Sequence, residues 1–394
     1  MKRRAFIQSG ALVSTAMLVP RFLIGFPIGS GEHTANRLIV VQLSGGNDGL
    51  NTVIPYEDDL YFRARPMLAV ESSKVLRLND EQGLNPVMKG LEKWYHEGYV
   101  TILNSVGYPN PNRSHFRSMD IWHTASDSDK TLSTGWLGRY IDAACGNGAP
   151  LSHAIEVNST LSLAMKGHQY NGLALSKPKQ LYGSTNDPFI RHLVNTPNTG
   201  ADERDFLYKT LAETASTARY IYEKSKVYTS NQEYPQSAFG KNLKNIAQLI
   251  ISGCHSQVYY VSLGGFDTHN QQSVKQARLL QQFSEGMDTL LTDLKNNQAE
   301  DNVLIMVFSE FGRRVKENAS KGTDHGTANN VFVLGKALRQ PGIYNPTPSL
   351  ADLDKGDLNF QIDFRSVYST LLRNWLKTND VAILGHDFPT LDLV

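Results

Sequence analysis

Short unbroken apolar runs alternate along this chain with longer stretches in which apolar residues recur every three or four positions. Runs of the first kind, at residues 38–43 (LIVVQL), 258–263 (VYYVSL) and 303–308 (VLIMVF), predict strands buried on both faces. Residues 99–106 and 331–334 predict two more strands, and residues 154–157 and 172–175 predict two shorter ones. Stretches of the second kind predict helices over residues 84–98, from Ser114 onward, and over 134–144, 202–224, 237–252, 276–297 and 363–375. Strand, helix and strand over residues 258–308 make the βαβ crossover of a parallel sheet. The pattern predicts an α/β protein of three layers, a mostly parallel central sheet with helices on both faces. It forms a single domain over residues 37–394, with a helical insert around 200–252.

Each of the three long apolar runs ends in a loop that carries acids or histidines. Residues 44–49 (SGGNDG) place Asn47 and Asp48 after the first run, and residues 264–269 (GGFDTH) place Asp267 and His269 after the second. Ser309 and Glu310 follow the third, with Asp324 and His325 further along the same glycine-containing connection. Open α/β sheets bind ligands beyond the carboxyl ends of their strands, so these are candidate site residues. Carboxylates with one or two imidazoles suit a divalent ion, which would acidify a bound water or hydroxyl. Without a metal, His269 or His325 beside a carboxylate serves as a general base. Each group also has a plainer account: a turn at Asp48 or Asp324, a helix cap at Asp267, an ion pair between Glu310 and Arg313 or Arg314. Ser114, flanked by Arg113 and His115, opens a helix and is either a cap or a nucleophile at an anion-binding helix start.

Composition narrows the function classes. With 39 basic and 38 acidic side chains there is no global field to draw nucleic acid or an anionic membrane. Two cysteines, Cys145 and Cys254, exclude a disulfide framework and leave one bridge or two thiols. Residues 1–26 begin with basic residues and continue as a weakly apolar segment, the layout of an export signal. Arg3-Arg4-Ala5-Phe6-Ile7 gives it the twin-arginine form, so residues 1–36 are expected to be signal and linker, read by the twin-arginine export machinery. Pro20 and Arg21 interrupt the apolar run, so no stable membrane span is expected in the mature chain, and the expected location is periplasmic.

The segments LSGGNDGLNTVIPY, YPNPNRSHFRSMDIW, GGFDTHNQQ, SEFGRR with TDHGTANNVFVLG, and DFRSVYSTLL resemble, in that order, the DUF1501 family of exported bacterial proteins. That family is similar in organisation to the alkaline phosphatase–sulfatase superfamily, so the resemblance implies an alkaline-phosphatase-like core with metal at the strand ends. It implies Asp48, Asp267, His269, Glu310 and His325 as metal ligands, with Asn47, Ser309 and Asp324 supporting them. Ser114 takes the nucleophile's place, with Asn112 or His115 as alternative counterparts, and Arg113 and His115 complete the catalytic group. Phe311 stands where the superfamily has a histidine, which removes one ligand of a second metal. The implied function is a metal-dependent hydrolase of sulfate or phosphate esters, small-molecule or polysaccharide, using zinc, manganese or calcium at as few as one site. The alternative is a periplasmic binding or assembly protein that keeps the fold with a degenerate site.

Overall fold

The computed structural model describes residues 35–146, 153–195 and 203–394. The export-signal expectation lies outside these residues except at Ala35 and Asn36. Among the described residues nine strands join one sheet: β1 (Arg37–Ser44), β2 (Val100–Gly107), β3 (Ala154–Glu156), β4 (Leu173–Ala174), β5 (Val258–Gly264), β6 (Val303–Phe308), β7 (Asn329–Leu334), β8 (Gly342–Ile343) and β9 (Ile362–Asp363). Their order is β8-β2-β7-β6-β1-β5-β3-β4, with β9 also paired to β2. β7 runs antiparallel to β6 and to β2, and the other pairings are parallel. The sheet is therefore mixed and mainly parallel, as the apolar runs predict. β7 is the exception because no helix separates it from β6, and a parallel return needs a crossover.

Alternation along the central strands divides the core in two. Ile39, Val41 and Leu43 of β1, with Tyr259, Val261, Ile305 and Val307 beside them, pack under the helices Lys89–His96, Ala238–Ile251 and Gln272–Asn296. Leu38 and Val40, with Val258, Tyr260, Leu304 and Met306, face the helices His115–Thr124, Trp136–Gly146 and Phe364–Thr370. Helices on both faces complete the three layers. Cys145 and Cys254 are two separate buried thiols. No helix among the described residues is long and apolar enough to cross a membrane.

Two boundaries depart from the sequence pattern for identifiable reasons. The helix expected from residue 84 starts at Lys89, because Gly83–Leu84 pairs with two short strands and Pro86 holds Asn85 out of the helical region. The helix expected from residue 276 starts at Gln272, one turn earlier. Gln272 and Gln276 are polar yet buried, so hydrophobic spacing does not reveal that turn.

His123 is buried beneath the site end of the sheet, its Nε2 3.2 Å from Gln42 Oε1 and 3.1 Å from Tyr260 Oη. Burial pushes its pKa down to about 4, against a small upward pull from Glu310, and burial likewise pushes His153 down to about 4. In the unfolded chain both rings titrate near the ordinary value of about 6.5. The unfolded chain thus binds more protons between these values, and stability falls as pH drops through that window by up to about 1.4 kcal/mol per pH unit for each ring. Urea unfolding between about pH 7 and pH 4 should show this decline, and His123→Gln should flatten it.

Candidate metal centre

The parallel register levels the carboxyl ends of the three central strands. Ser44 lies beside Gly264, and Gln42 beside Phe308, so the loops after β1, β5 and β6 emerge together. The loop after β6 then folds back on itself: Arg314 N–H donates to Asp324 O at 3.0 Å, and Gly326 N–H to Gly312 O at 2.8 Å. Gly326 permits this, since a Cβ there would lie 2.5 Å from the Arg313 backbone. The fold-back brings Asp324 and His325 against the loop after β5. The helix His115–Thr124 starts at the same place and supplies His115.

Three imidazole Nε2 atoms surround one carboxylate oxygen. Asp267 Oδ1 lies 3.0 Å from His269 Nε2, 3.2 Å from His325 Nε2 and 3.4 Å from His115 Nε2. The Nε2 atoms of His269 and His325 are themselves 2.9 Å apart. The opposite nitrogen of each ring has its own acceptor. His115 Nδ1 is 2.9 Å from Glu310 Oε1, His269 Nδ1 is 3.0 Å from Asp324 Oδ1, and His325 Nδ1 is 2.7 Å from the Arg113 carbonyl. A carbonyl or carboxylate acceptor places the ring proton on Nδ1, which leaves Nε2 as a lone pair. His115 Nε2 is buried and makes no hydrogen bond. Three lone pairs and a carboxylate thus face one another.

The surroundings act on these groups in different directions. Burial works to raise the Asp267 carboxyl, but the hydrogen bond and charge of Arg313, with His325 and His269, hold it down at about 2. Burial lowers the His325 pKa, which favours its neutral ring. The Glu310 hydrogen bond raises the His115 pKa against burial. The hydrogen bond from His269, with that from Asn318, lowers the Asp324 pKa. Phe311 forms an apolar floor, with its ring centroid 4.8 Å from those of His115 and of His325.

The structure distributes the remaining candidates around this cluster. Glu310 is fully buried, accepts from Gly45 N–H at 2.8 Å and faces the outer nitrogen of His115. Among the described residues, the group with one donor each inside 4.8 Å is His115, Asp267 and His325. Asp48 is held elsewhere: its Oδ2 accepts from Arg65 at 2.6 Å and from Gln272, with both members of the ion pair fully buried. Ser309 and Asn47 brace the loop, Ser309 Oγ donating to Leu43 O at 2.6 Å and accepting from Asn47 N–H at 2.9 Å. The Arg113 guanidinium is engaged by Asp357, which Arg314 also contacts. Ser114 is exposed and its hydroxyl makes no cap, while Asn112 Oδ1 accepts from the Ser114 N–H at 2.8 Å. Sequence reasoning missed Arg65, Gln272 and Asp357. Arg65 carries no local signal, and nothing across the 17 positions that separate it from Asp48 marks the two as partners.

The sequence profile of "Protein of unknown function (DUF1501)" matches residues 94–374, well over half of the chain. The chain belongs to that family. No curated protein matches it. Three solved structures illustrate what it is similar to. The PsFucS1 sulfatase from Pseudoalteromonas sp. is 12% identical, with 91% of this chain and 71% of that one covered at a TM-score of 0.41. The C-terminal periplasmic domain of EcEptC from Escherichia coli, in complex with Zn, is 10% identical, with 77% and 74% covered at a TM-score of 0.37. A protein in the alkaline phosphatase superfamily from Vibrio parahaemolyticus is 10% identical, with 80% and 63% covered at a TM-score of 0.36.

Arg65 also donates to Asn51 Oδ1, Val315 O and Arg314 O, so its removal would strand several buried acceptors. Arg65→Met should destabilise the fold by roughly 3–5 kcal/mol, the cost of an unpaired buried charge. Asp48→Asn in the same chain should recover a large part of that loss, as measured by urea unfolding.

Proposed function

We propose that this protein is a metal-dependent hydrolase of sulfate or phosphate esters, exported through the twin-arginine route and built on one divalent ion. The facing lone pairs of His115, His269 and His325 around Asp267 carry the reading. Such an arrangement is repulsive unless a proton or a cation sits among the donors. A metal with bonds of about 2.0–2.1 Å to tetrahedral ligands separates those ligands by roughly 3.3 Å. The 3.2 and 3.4 Å spacings from Asp267 Oδ1 to the Nε2 atoms of His325 and His115 fit that value, and these three form the compact donor group among the described residues. Imidazoles with one carboxylate favour zinc or manganese over calcium, which takes oxygen ligands.

His115, Asp267 and His325 would hold the ion, with His269 beside Asp267 and His325, and the ion when bound would supply Lewis-acid polarisation of an ester oxygen. Glu310, Asp324 and the Arg113 carbonyl hold the ring protons on Nδ1 and aim each Nε2 inward. Ser114 stands next to His115 with its hydroxyl free, at a helix start whose first-turn N–H groups favour an anion. In the reaction Ser114 Oγ bonds to phosphorus or sulfur, and the ester's alcohol oxygen departs and takes the serine proton. Water then attacks the same phosphorus or sulfur, the bond to Ser114 Oγ breaks, one water proton returns to the serine, and phosphate or sulfate leaves. The twin-arginine pattern at Arg3-Arg4 supports export to the periplasm, with residues 1–36 as the signal and linker.

Metal analysis of the purified protein should find one zinc or manganese per chain. Asp267→Asn with His325→Ala should remove it. Glu310→Gln should weaken affinity by about 10–100-fold, as loss of an outer partner does. Ser114→Ala should keep the metal while lowering kcat for 4-nitrophenyl sulfate or phosphate by at least about 100-fold. A metal-free protein that hydrolyses neither ester with added zinc or manganese would sink the reading. One bound metal without hydrolysis would identify a binding protein instead.

A further inference from the structure

We infer that a cavity beside Phe311 seats the alcohol portion of the substrate as a single uncharged six-membered ring bearing an acceptor oxygen. The inference rests on the hydrolase reading above. The cavity measures about 150 Å³. An engineered cavity of roughly that size accepts benzene, so the space suits one ring and no more.

Two of its walls are shared with the candidate centre. Phe311 lines the cavity and also packs on His115 and His325. Asn112 lines it while fixing the backbone of Ser114. A ring held there shares Phe311 with the candidate centre and Asn112 with the turn that leads into Ser114.

The lining chemistry selects the ring's character. No lysine, arginine or histidine lines the cavity, and its one charged side chain is Asp354. A second anionic group on the ring would therefore meet repulsion and no partner. Trp122 lies between Phe308 and Phe364, with ring centroids 4.9 and 4.3 Å away and interplanar angles of 14° and 24°. Both faces of the indole are covered, so it offers the cavity an edge. Its Nε1–H is buried and has no acceptor. Exposed Asn110, Asn359 and Asp354 at the cavity add further hydrogen-bonding groups.

Aryl alcohols and pyranoses share this chemistry, and ligand-detected NMR on the full chain can separate them. The probes are phenol, methyl α-glucopyranoside and, as the charged control, benzoate. At least one neutral probe should bind, with benzoate weaker by about tenfold or more, and whichever neutral probe binds names the source. Asn359→Trp should fill the cavity and weaken neutral-ring binding by about tenfold or more, and Asp354→Lys should shift preference toward benzoate. Both positions are exposed, and unchanged metal content and thermal unfolding would show that the fold persists. The inference is overturned if neither neutral probe binds, or if both variants leave the preferences unchanged. Because the readout is ring binding, such a failure is distinct from a missing metal or missing ester hydrolysis.

Discussion

Asp267 Oδ1 is the point on which the candidate site converges, and the fold prepares for it from three directions. Each surrounding imidazole is turned by an acceptor belonging to a different part of the chain. Glu310 follows β6, Asp324 comes from the folded-back connection beyond it, and the Arg113 carbonyl precedes the helix on the opposite face of the sheet. Arg313 reaches Asp267 from below at 2.7 Å while also donating to Gly46 O at 2.6 Å and Thr323 O at 2.9 Å. One guanidinium thereby ties the loops after β1, β5 and β6 together. A shift of any loop would separate the three imidazoles from the Asp267 carboxylate. The geometry of the centre is thus a consequence of loop packing, and the level strand ends are what make that packing attainable.

Strand and loop identity were legible because fully buried strands write themselves as unbroken apolar runs. LIVVQL, VYYVSL and VLIMVF each sit within an observed strand, and the acids and histidine beyond them lie at the strand ends as expected. Partnership was not legible. Nothing local distinguishes Asp48, which is buried against Arg65, from Asp267, which is solvent-facing and meets three imidazoles. Both follow glycines at strand ends. The difference arises from residues outside the two loops, Arg65 and Gln272 in one case and His115 and His325 in the other. Gln272 was hidden twice over, since a buried glutamine obscures both the helix it begins and the acid it contacts.

Phe311 illustrates how one apolar side chain shapes a polar site. Its ring packs on His115 and His325, and a Cβ at Gly46 would come within 2.2 Å of it. That side of the two imidazoles is consequently closed to water and to further polar ligands. Excluding water strengthens the electrostatic interactions that remain on the Asp267 side. The same ring then presents its other surroundings to the neighbouring cavity, so a single residue separates a charged compartment from an uncharged one.

The two strand-end aspartates show two solutions to one physical problem. A carboxylate near the middle of a sheet edge must be neutralised, because an isolated buried charge is strongly disfavoured. At Asp48 the counter-charge is built into the chain: Arg65 lies 2.6 Å away and is itself satisfied by Asn51, Val315 and Arg314. A guanidinium fixed by that many partners leaves no room for a second cation to compete at the same oxygen. At Asp267 Arg313 supplies part of the neutralisation, His325 and His269 add to it, and the carboxylate stays half exposed. The chain seals one acid against a guanidinium in the core and leaves the other half exposed among three imidazoles. That asymmetry, more than the count of acids and histidines, makes Asp267 the accessible acid of the pair.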